Sequence, residues 1–184
     1  PADCLYAGLA SAFVPADRLD ALAAALAGAD FSGDPFAALD RLVGGFAESP
    51  GGAELPALRE RIDVCFGQPS LEAVLRALEN EPSGWGQRQL EQLRGKSPTS
   101  LAVTFRQVRE GAGPDFDAAM RLEYRLVHRF MAGHDFREGV RAAVIDKDNR
   151  PRWRPARLED VSTADIDGYF APLPGGELTL GDPA

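Results

Sequence analysis

Apolar positions along this chain recur at intervals of three and four, the spacing of a helical stripe, and strict alternation is rare. Leu19, Leu22 and Leu26 form the first stripe, behind a helix start at Pro15-Ala16-Asp17. Phe36, Leu39, Leu42, Val43 and Phe46 form the second, with Asp34 as its cap and Pro35 at its first helical position. After the loop Glu48-Ser49-Pro50-Gly51-Gly52, Leu58, Ile62 and Cys65 make a third stripe that stops at Gly67. Ser70 caps a helix carrying Leu71, Val74, Leu75 and Leu78, and Trp85, Leu90 and Leu93 mark the next, closed by Gly95.

Ser97-Pro98 is a sharp helix start, followed by Leu101, Phe105 and Val108 on one face and a stop at Gly111. Asp115 opens the longest helix, with Phe116, Met120, Tyr124, Val127 and Met131 on one face and Gly133 at its end. Asp135 and Glu138 have the spacing of a capping box for a helix whose inward side is Phe136, Val140, Ala143 and Val144. Prolines keep Arg150-Pro151-Arg152-Trp153-Arg154-Pro155 out of regular helix, so that basic stretch is expected to run extended. Ser162 caps a last short helix with Ile166, Tyr169 and Phe170, and the tail from Pro172 is rich in Gly and Pro. The only β-friendly stretch is a possible short strand around Ala10–Val14. The fold class is therefore mainly α, about eight or nine helices, with at most a short N-terminal strand.

Composition narrows the function classes. The 184 residues are 45% apolar and 26% charged, which excludes disordered, collagenous and disulfide-scaffold chains. The 28 acidic residues against 20 basic ones leave a net charge of -8, which repels nucleic acid and anionic membranes overall, so neither is expected as a partner. No apolar run reaches the ~18 residues of a membrane helix. Cys4 and Cys65 belong to no CxxC pair, so no metal site or disulfide framework is expected and a cytoplasmic location fits. The first residue is Pro1, not Met, as expected of a processed or cut piece of a longer chain.

Candidate chemistry is sparse. His128 and His134 lack metal-ligand or catalytic context and read as local hydrogen-bonding residues, His134 helping to hold the turn beside Asp135. No nucleophile elbow, P-loop or dinucleotide fingerprint occurs, so no cofactor is expected. Carboxylates lie mostly beside arginines at helical spacing, as in Glu123 with Arg125 and Arg129, and read as solvated faces. One cluster stands apart: Arg141, Lys147, Arg150, Arg152, Trp153 and Arg154 gather positive charge and a flat aromatic in an acidic chain. Arg and Lys suit phosphate oxygens, and Trp suits a purine, which points to a nucleotide or CoA phosphate. The competing reading is a solvated basic loop paired with the acidic surface.

Several runs resemble the C-terminal half of the 3-hydroxyisobutyryl-CoA hydrolase family, within the enoyl-CoA hydratase/isomerase (crotonase) superfamily. They are Lys96-Ser97-Pro98-Thr99-Ser100-Leu101 with Arg106-Gln107, Leu122-Glu123-Tyr124-Arg125-Leu126, and Gly133-His134-Asp135-Phe136-Arg137-Glu138-Gly139-Val140-Arg141-Ala142 through Ile145-Asp146-Lys147-Asp148 to Pro151-Arg152-Trp153. Tyr6-Ala7-Gly8-Leu9-Ala10 with Phe13-Val14, and Ile62-Asp63 with Cys65-Phe66, are similar too. The resemblance implies acyl-CoA thioester hydrolysis, with an oxyanion held by two backbone N–H groups and with Glu and Asp doing the acid, base or nucleophilic work. In the family those residues lie in a spiral of β–β–α turns upstream, and none matches a position here, so no catalytic residue is assigned. The resemblance further implies that residues 1–14 end the spiral core, 15–171 form a helical C-terminal region and 172–184 a loose tail. It makes Lys147 the position most similar to a CoA-phosphate contact, with Arg150 and Trp153 behind it.

Three functional readings remain open on the residues. The chain is the C-terminal part of an acyl-CoA thioester hydrolase acting in valine breakdown, inactive without its catalytic half. Alternatively it is the same part of an enoyl-CoA hydratase or isomerase, or a self-standing helical interaction module. On the first two readings the partners are acyl-CoA in the full-length parent and an N-terminal half. That half, or a second copy, would cover an exposed apolar face.

Overall fold

The structure, a computed structural model, describes residues 1–181 and is helical wherever it is regular. Ten α-helices follow in order: α1 Ala2–Tyr6, α2 Leu19–Ala27, α3 Pro35–Phe46, α4 Leu55–Phe66, α5 Leu71–Glu79, α6 Trp85–Arg94, α7 Pro98–Glu110, α8 Phe116–Ala132, α9 His134–Val140 and α10 Thr163–Phe170. A π-helical turn, Arg141–Ile145, continues α9. The starts expected from the sequence form as hydrogen bonds: the side chains of Asp34, Ser70, Ser97, Asp115 and Ser162 each accept from a first-turn N–H.

Two expectations are corrected. No strand forms among the described residues: around Ala10–Val14 the Ala10 N–H donates to the Cys4 carbonyl at 3.3 Å and the Phe13 carbonyl accepts from the Glu48 N–H at 2.9 Å, which makes no ladder. Asp135 and Glu138 do not make a capping box. The helix starts two residues early, at His134 behind Gly133, which puts Asp135 inside the first turn and frees both carboxylates for partners elsewhere in the chain. The capping box that does form is Ser162 with Asp165.

The chain divides into two compact units, Pro1–Asp63 and Val64–Ala184, with the division falling inside α4. This division by proximity differs in kind from the family-based one at residue 14. In the first unit α2 packs on α3, and Ala38 is the buried apolar residue among those described. Arg18 ties the end of α3 by donating to the Phe46 and Gly45 carbonyls and pairing with Glu48. Asp3, on α1, accepts from the Glu54 and Leu55 N–H groups and so caps α4 from far away in sequence.

The second unit has the denser core. The buried Leu71, Val74 and Leu78 of α5 lie on a helix that packs on α6, with its Trp85 and Leu90, and on α7, with its Ala102 and Val103, while Leu126 of α8 is buried on a helix that packs on α9 and α10. Gly86 is where α6 comes closest to its neighbours: a Cβ there would lie 2.4 Å from the Leu78 carbonyl oxygen, so only glycine fits. The Glu81 carboxylate accepts from the Gly86 N–H at 2.9 Å and satisfies the start of α6.

The other α7–α9 stripes are not buried. Val108 is 72% exposed, Phe116 73% and Val144 62%, and Val127, Met131, Phe136 and Val140 are also exposed. The inward side expected from Phe136, Val140, Ala143 and Val144 is therefore outward, and Ala142 takes the buried place. Periodicity identifies an apolar face but not which neighbour, if any, covers it.

Leu90 is fully buried between α5 and α6. Leu90→Ala is expected to cost about 2–5 kcal/mol through lost burial and the cavity left behind. A melt by calorimetry checks this, and a melting temperature equal to that of the unchanged protein would remove these helices from the stability core.

Candidate functional site

The basic segment after α9 is held by the helix it follows. Glu138 and Asp135 lie three residues apart on α9, so their carboxylates stack one turn above another, about 5–6 Å apart at Cβ. Residues 150–153 lie outside any helix, ahead of a bend at 154–157, so the extended run expected to Pro155 stops short; in such a stretch alternate residues are about 6.6 Å apart. The two spacings match. The Arg152 N–H donates to Glu138 Oε1 at 2.7 Å, and the Arg154 N–H donates to Asp135 Oδ1 at 2.9 Å. Asp135 also accepts from the Ser97 hydroxyl at 2.5 Å, which joins the start of α7 to the same tie. His134 Nδ1 lies 3.0 Å from Asp135 Oδ1, so this histidine serves the local turn, as its sequence context suggests.

Trp153 fixes the middle of the segment. Its indole N–H donates to the Gly95 carbonyl at 3.0 Å, and its ring edge lies against Gly139, where a Cβ would come within 3.3 Å. Exposure then alternates: Pro151, Trp153 and Pro155 are half-buried, while Arg150, Arg152 and Arg154 face solvent.

Arg141 leaves the basic patch that the sequence suggests. Its guanidinium donates to both Glu138 oxygens, at 2.8 and 2.9 Å, to Asp146 at 2.7 Å, to Asp148 at 2.8 Å, and to the Arg150 carbonyl. With two carboxylates beyond Glu138 around it, its charge is spent inside the fold. Arg141, followed by the Arg152 N–H, holds the Glu138 carboxyl at about 2, well below its ordinary 4.5. The same guanidinium lowers Asp148, and its own pKa is raised by these partners. For Arg141 the paired-loop reading therefore holds. Among the described residues, the side chains of Lys147, Arg150, Arg152 and Arg154 make no ion pair. Lys147 and Asn149 both adopt left-handed backbone, φ 56° and 53°, in the tight turn around Asp148.

The structure thus brings Lys147, Arg150 and Trp153 onto one short stretch, but it gives Trp153 an internal bond and an internal contact. Sequence reasoning missed Asp135 and Glu138 as its holders. The signal was present: two acidic residues one turn apart, just ahead of a proline-flanked extended stretch. Trp153 also walls an open groove of about 510 Å³, with Lys96, Ser100, Thr104, Phe130 and Met131. A second groove, of about 450 Å³, lies on the other flank of Lys96, Ser100 and Thr104 and is lined by Leu71, Leu93, Leu101 and Phe105. Among the described residues no cluster of His, Cys, Asp and Glu is arranged as a metal cage, and no helix is long and apolar enough to cross a membrane.

Comparison with known proteins agrees with this architecture. The sequence profile described as enoyl-CoA hydratase/isomerase matches residues 1–170, and the chain belongs to that family. The 3-hydroxyisobutyryl-CoA hydrolase of Danio rerio is 36% identical over 97% of this chain and 47% of its own length. That of Gallus gallus is 46% identical over 66% of this chain and 31% of its own length. Among solved structures, a carnitinyl-CoA dehydratase from Mycobacterium thermoresistibile superposes with a TM-score of 0.82 at 30% identity, covering 97% of this chain and 49% of that one. An enoyl-CoA hydratase from Rhodobacter sphaeroides gives 0.81 at 33% identity, covering 98% and 50%. The chain spans about half the length of these proteins, or less.

The Glu138 tie has an acid signature. A carboxyl whose folded pKa is lowered stabilises the fold fully above its ordinary 4.5, and that contribution is lost as pH falls toward about 2. Glu138→Gln is expected to be less stable than the unchanged protein above pH 4.5, with the gap closing toward pH 2. Denaturant midpoints across that range check this, and a gap that does not vary with pH would contradict the pairing.

Proposed function

We propose that this chain forms the helical C-terminal part of an acyl-CoA thioester hydrolase acting on 3-hydroxyisobutyryl-CoA. The observation that carries the reading is the specific run from Gly133 to Trp153, folded here as one tied unit, together with the names of the curated relatives. In this reading residues 1–14 end a spiral core and residues 15–171 are the helical region, with the tail beyond; 182–184 lie outside the described residues. The machinery that stabilises the thioester oxyanion belongs to the remainder of the protein, and the exposed face of Val127, Met131, Phe136 and Val144 is where that remainder packs. An apolar face of this kind is costly to leave in water, about 25 cal/mol per Å². Lys147 and Arg150 contact the phosphates of CoA, and Trp153 shapes the neighbouring groove wall. The free thiols of Cys4 and Cys65 are compatible with a reducing, cytoplasmic setting.

A second reading, an enoyl-CoA hydratase or isomerase, is favoured by the likeness to the solved carnitinyl-CoA dehydratase and enoyl-CoA hydratase. Rates of the whole gene product on 3-hydroxyisobutyryl-CoA and on crotonyl-CoA separate the two, and a preference for crotonyl-CoA would reverse the choice. The 184-residue chain alone is expected to show no thioester turnover, and measurable release of free CoA by it would defeat that expectation. In the whole protein, Lys147→Ala is expected to raise KM for acyl-CoA by about tenfold with little change in kcat, the mark of lost ground-state binding. An unchanged KM would return Lys147 to the solvated surface.

A further inference from the structure

The carboxylates nearest the basic segment do not neutralise it. Asp135 and Glu138 could pair with the arginine side chains that pass them. Instead they accept the backbone N–H groups of Arg154 and Arg152, and the three guanidinium groups of Arg150, Arg152 and Arg154 remain without an ion pair among the described residues. Successive arginines in this row lie about 6.6 Å apart along the chain. That is inside the Debye length of about 8 Å at physiological salt, so they repel one another. An untethered segment would relieve the repulsion by bending or by turning its arginines toward the acidic surface. Up to the bend at 154–157 the ties oppose both. The backbone is pinned at residues 152 and 154, Trp153 is anchored to Gly95, and Glu138 is itself braced by Arg141. With its side chain only 12% exposed, Glu138 has little freedom to turn toward a guanidinium in solvent.

We infer that Glu138 is a positioning residue for anion binding: with Asp135, it pins the backbone of Arg150–Arg154, so that the outward arginine row takes the phosphate groups at the nucleotide end of CoA. This rests on the acyl-CoA reading above and adds Arg152 and Arg154 to the groups that meet the ligand. CoA carries a diphosphate and a separate 3′-phosphate, so it offers several anionic centres to a row of forked donors. Arg is suited to such centres because its planar fork can give two hydrogen bonds to one phosphate. Glu138 never touches the ligand. Its negative charge opposes anion binding through space, while its hydrogen bonds favour it through geometry.

Those two effects have opposite signs, which makes the inference testable. Binding of CoA and of pantetheine, which lacks the nucleotide phosphates, is measured by calorimetry on the whole gene product. Glu138→Gln is expected to weaken CoA binding about tenfold and to leave pantetheine unchanged, because the tie to Arg141 is lost. Tighter or unchanged CoA binding would show that only the charge matters and would overturn the inference. Equal weakening of both ligands would overturn it too, as general loosening of the fold. Circular dichroism establishes that the variant folds. If it does not, Arg141→Lys replaces it, since this change keeps every charge but cannot fork across Glu138, and unchanged CoA binding there would overturn the inference. Arg152→Ala separates the two levels. If it and Lys147→Ala both bind CoA as the unchanged protein does, the phosphate reading itself fails. If Arg152→Ala weakens CoA while Glu138→Gln does not, only the positioning role fails.

Discussion

Two carboxylates one helical turn apart, receiving two backbone N–H groups two residues apart, are the constraint on which the C-terminal architecture depends. Asp135 and Glu138 convert the end of α9 into a docking edge for residues that prolines keep out of helix. Because Asp135 also accepts from Ser97, the same tie fixes where α7 begins relative to α9. Because Arg141 braces Glu138 while also reaching Asp146, Asp148 and the Arg150 carbonyl, the turn between helix and extended segment is closed from both ends. A charge-assisted bond to a backbone N–H has a further consequence: it orders the chain and leaves its side chains free.

The apolar side of the molecule follows a different logic. The α5–α6 pair buries its stripes against each other and against the inner face of α7. The outer faces of α7, α8 and α9 are covered only in part by the described chain, and Val108, Phe116, Val127, Met131 and Val144 stay exposed. The apolar area that a folded unit leaves in water is informative when it is contiguous and lies on stripes that the sequence builds at full helical regularity. Membership of the enoyl-CoA hydratase/isomerase family gives this a context, since the chain spans only about half the length of the relatives it matches.

Glycine marks two places where packing rather than flexibility decides the residue. At Gly86 the approach of α6 to the end of α5 leaves no room for a Cβ. At Gly139 a Cβ would press within 3.3 Å of the ring edge of Trp153, so a larger residue between Glu138 and Val140 would push on a side chain well downstream. Both explain why a helix tolerates a residue that costs it conformational entropy.

Helix starts and stops were legible because they are local: a cap side chain reaches an N–H two or three residues on, so Asp34, Ser70, Ser97, Asp115 and Ser162 could be read directly. Apolar stripes were legible as stripes, and the mainly α class followed. The basic run Lys147–Arg154 and the motifs of the family were also plain in the residues. Tertiary structure decided the rest. Whether a stripe such as Phe136–Val140–Val144 faces a core depends on neighbours that periodicity does not contain. Whether an Asp-x-x-Glu pair caps its own helix or grips a distant segment depends on a two-residue shift in where that helix begins. Whether Arg141 belongs to a free basic patch depends on Asp146 at the end of the π-helical turn and Asp148 in the turn at Lys147–Asn149, which join Glu138 around it. Local chemistry is encoded within a few residues; the partners of a charge or of an apolar face are set by long-range folding.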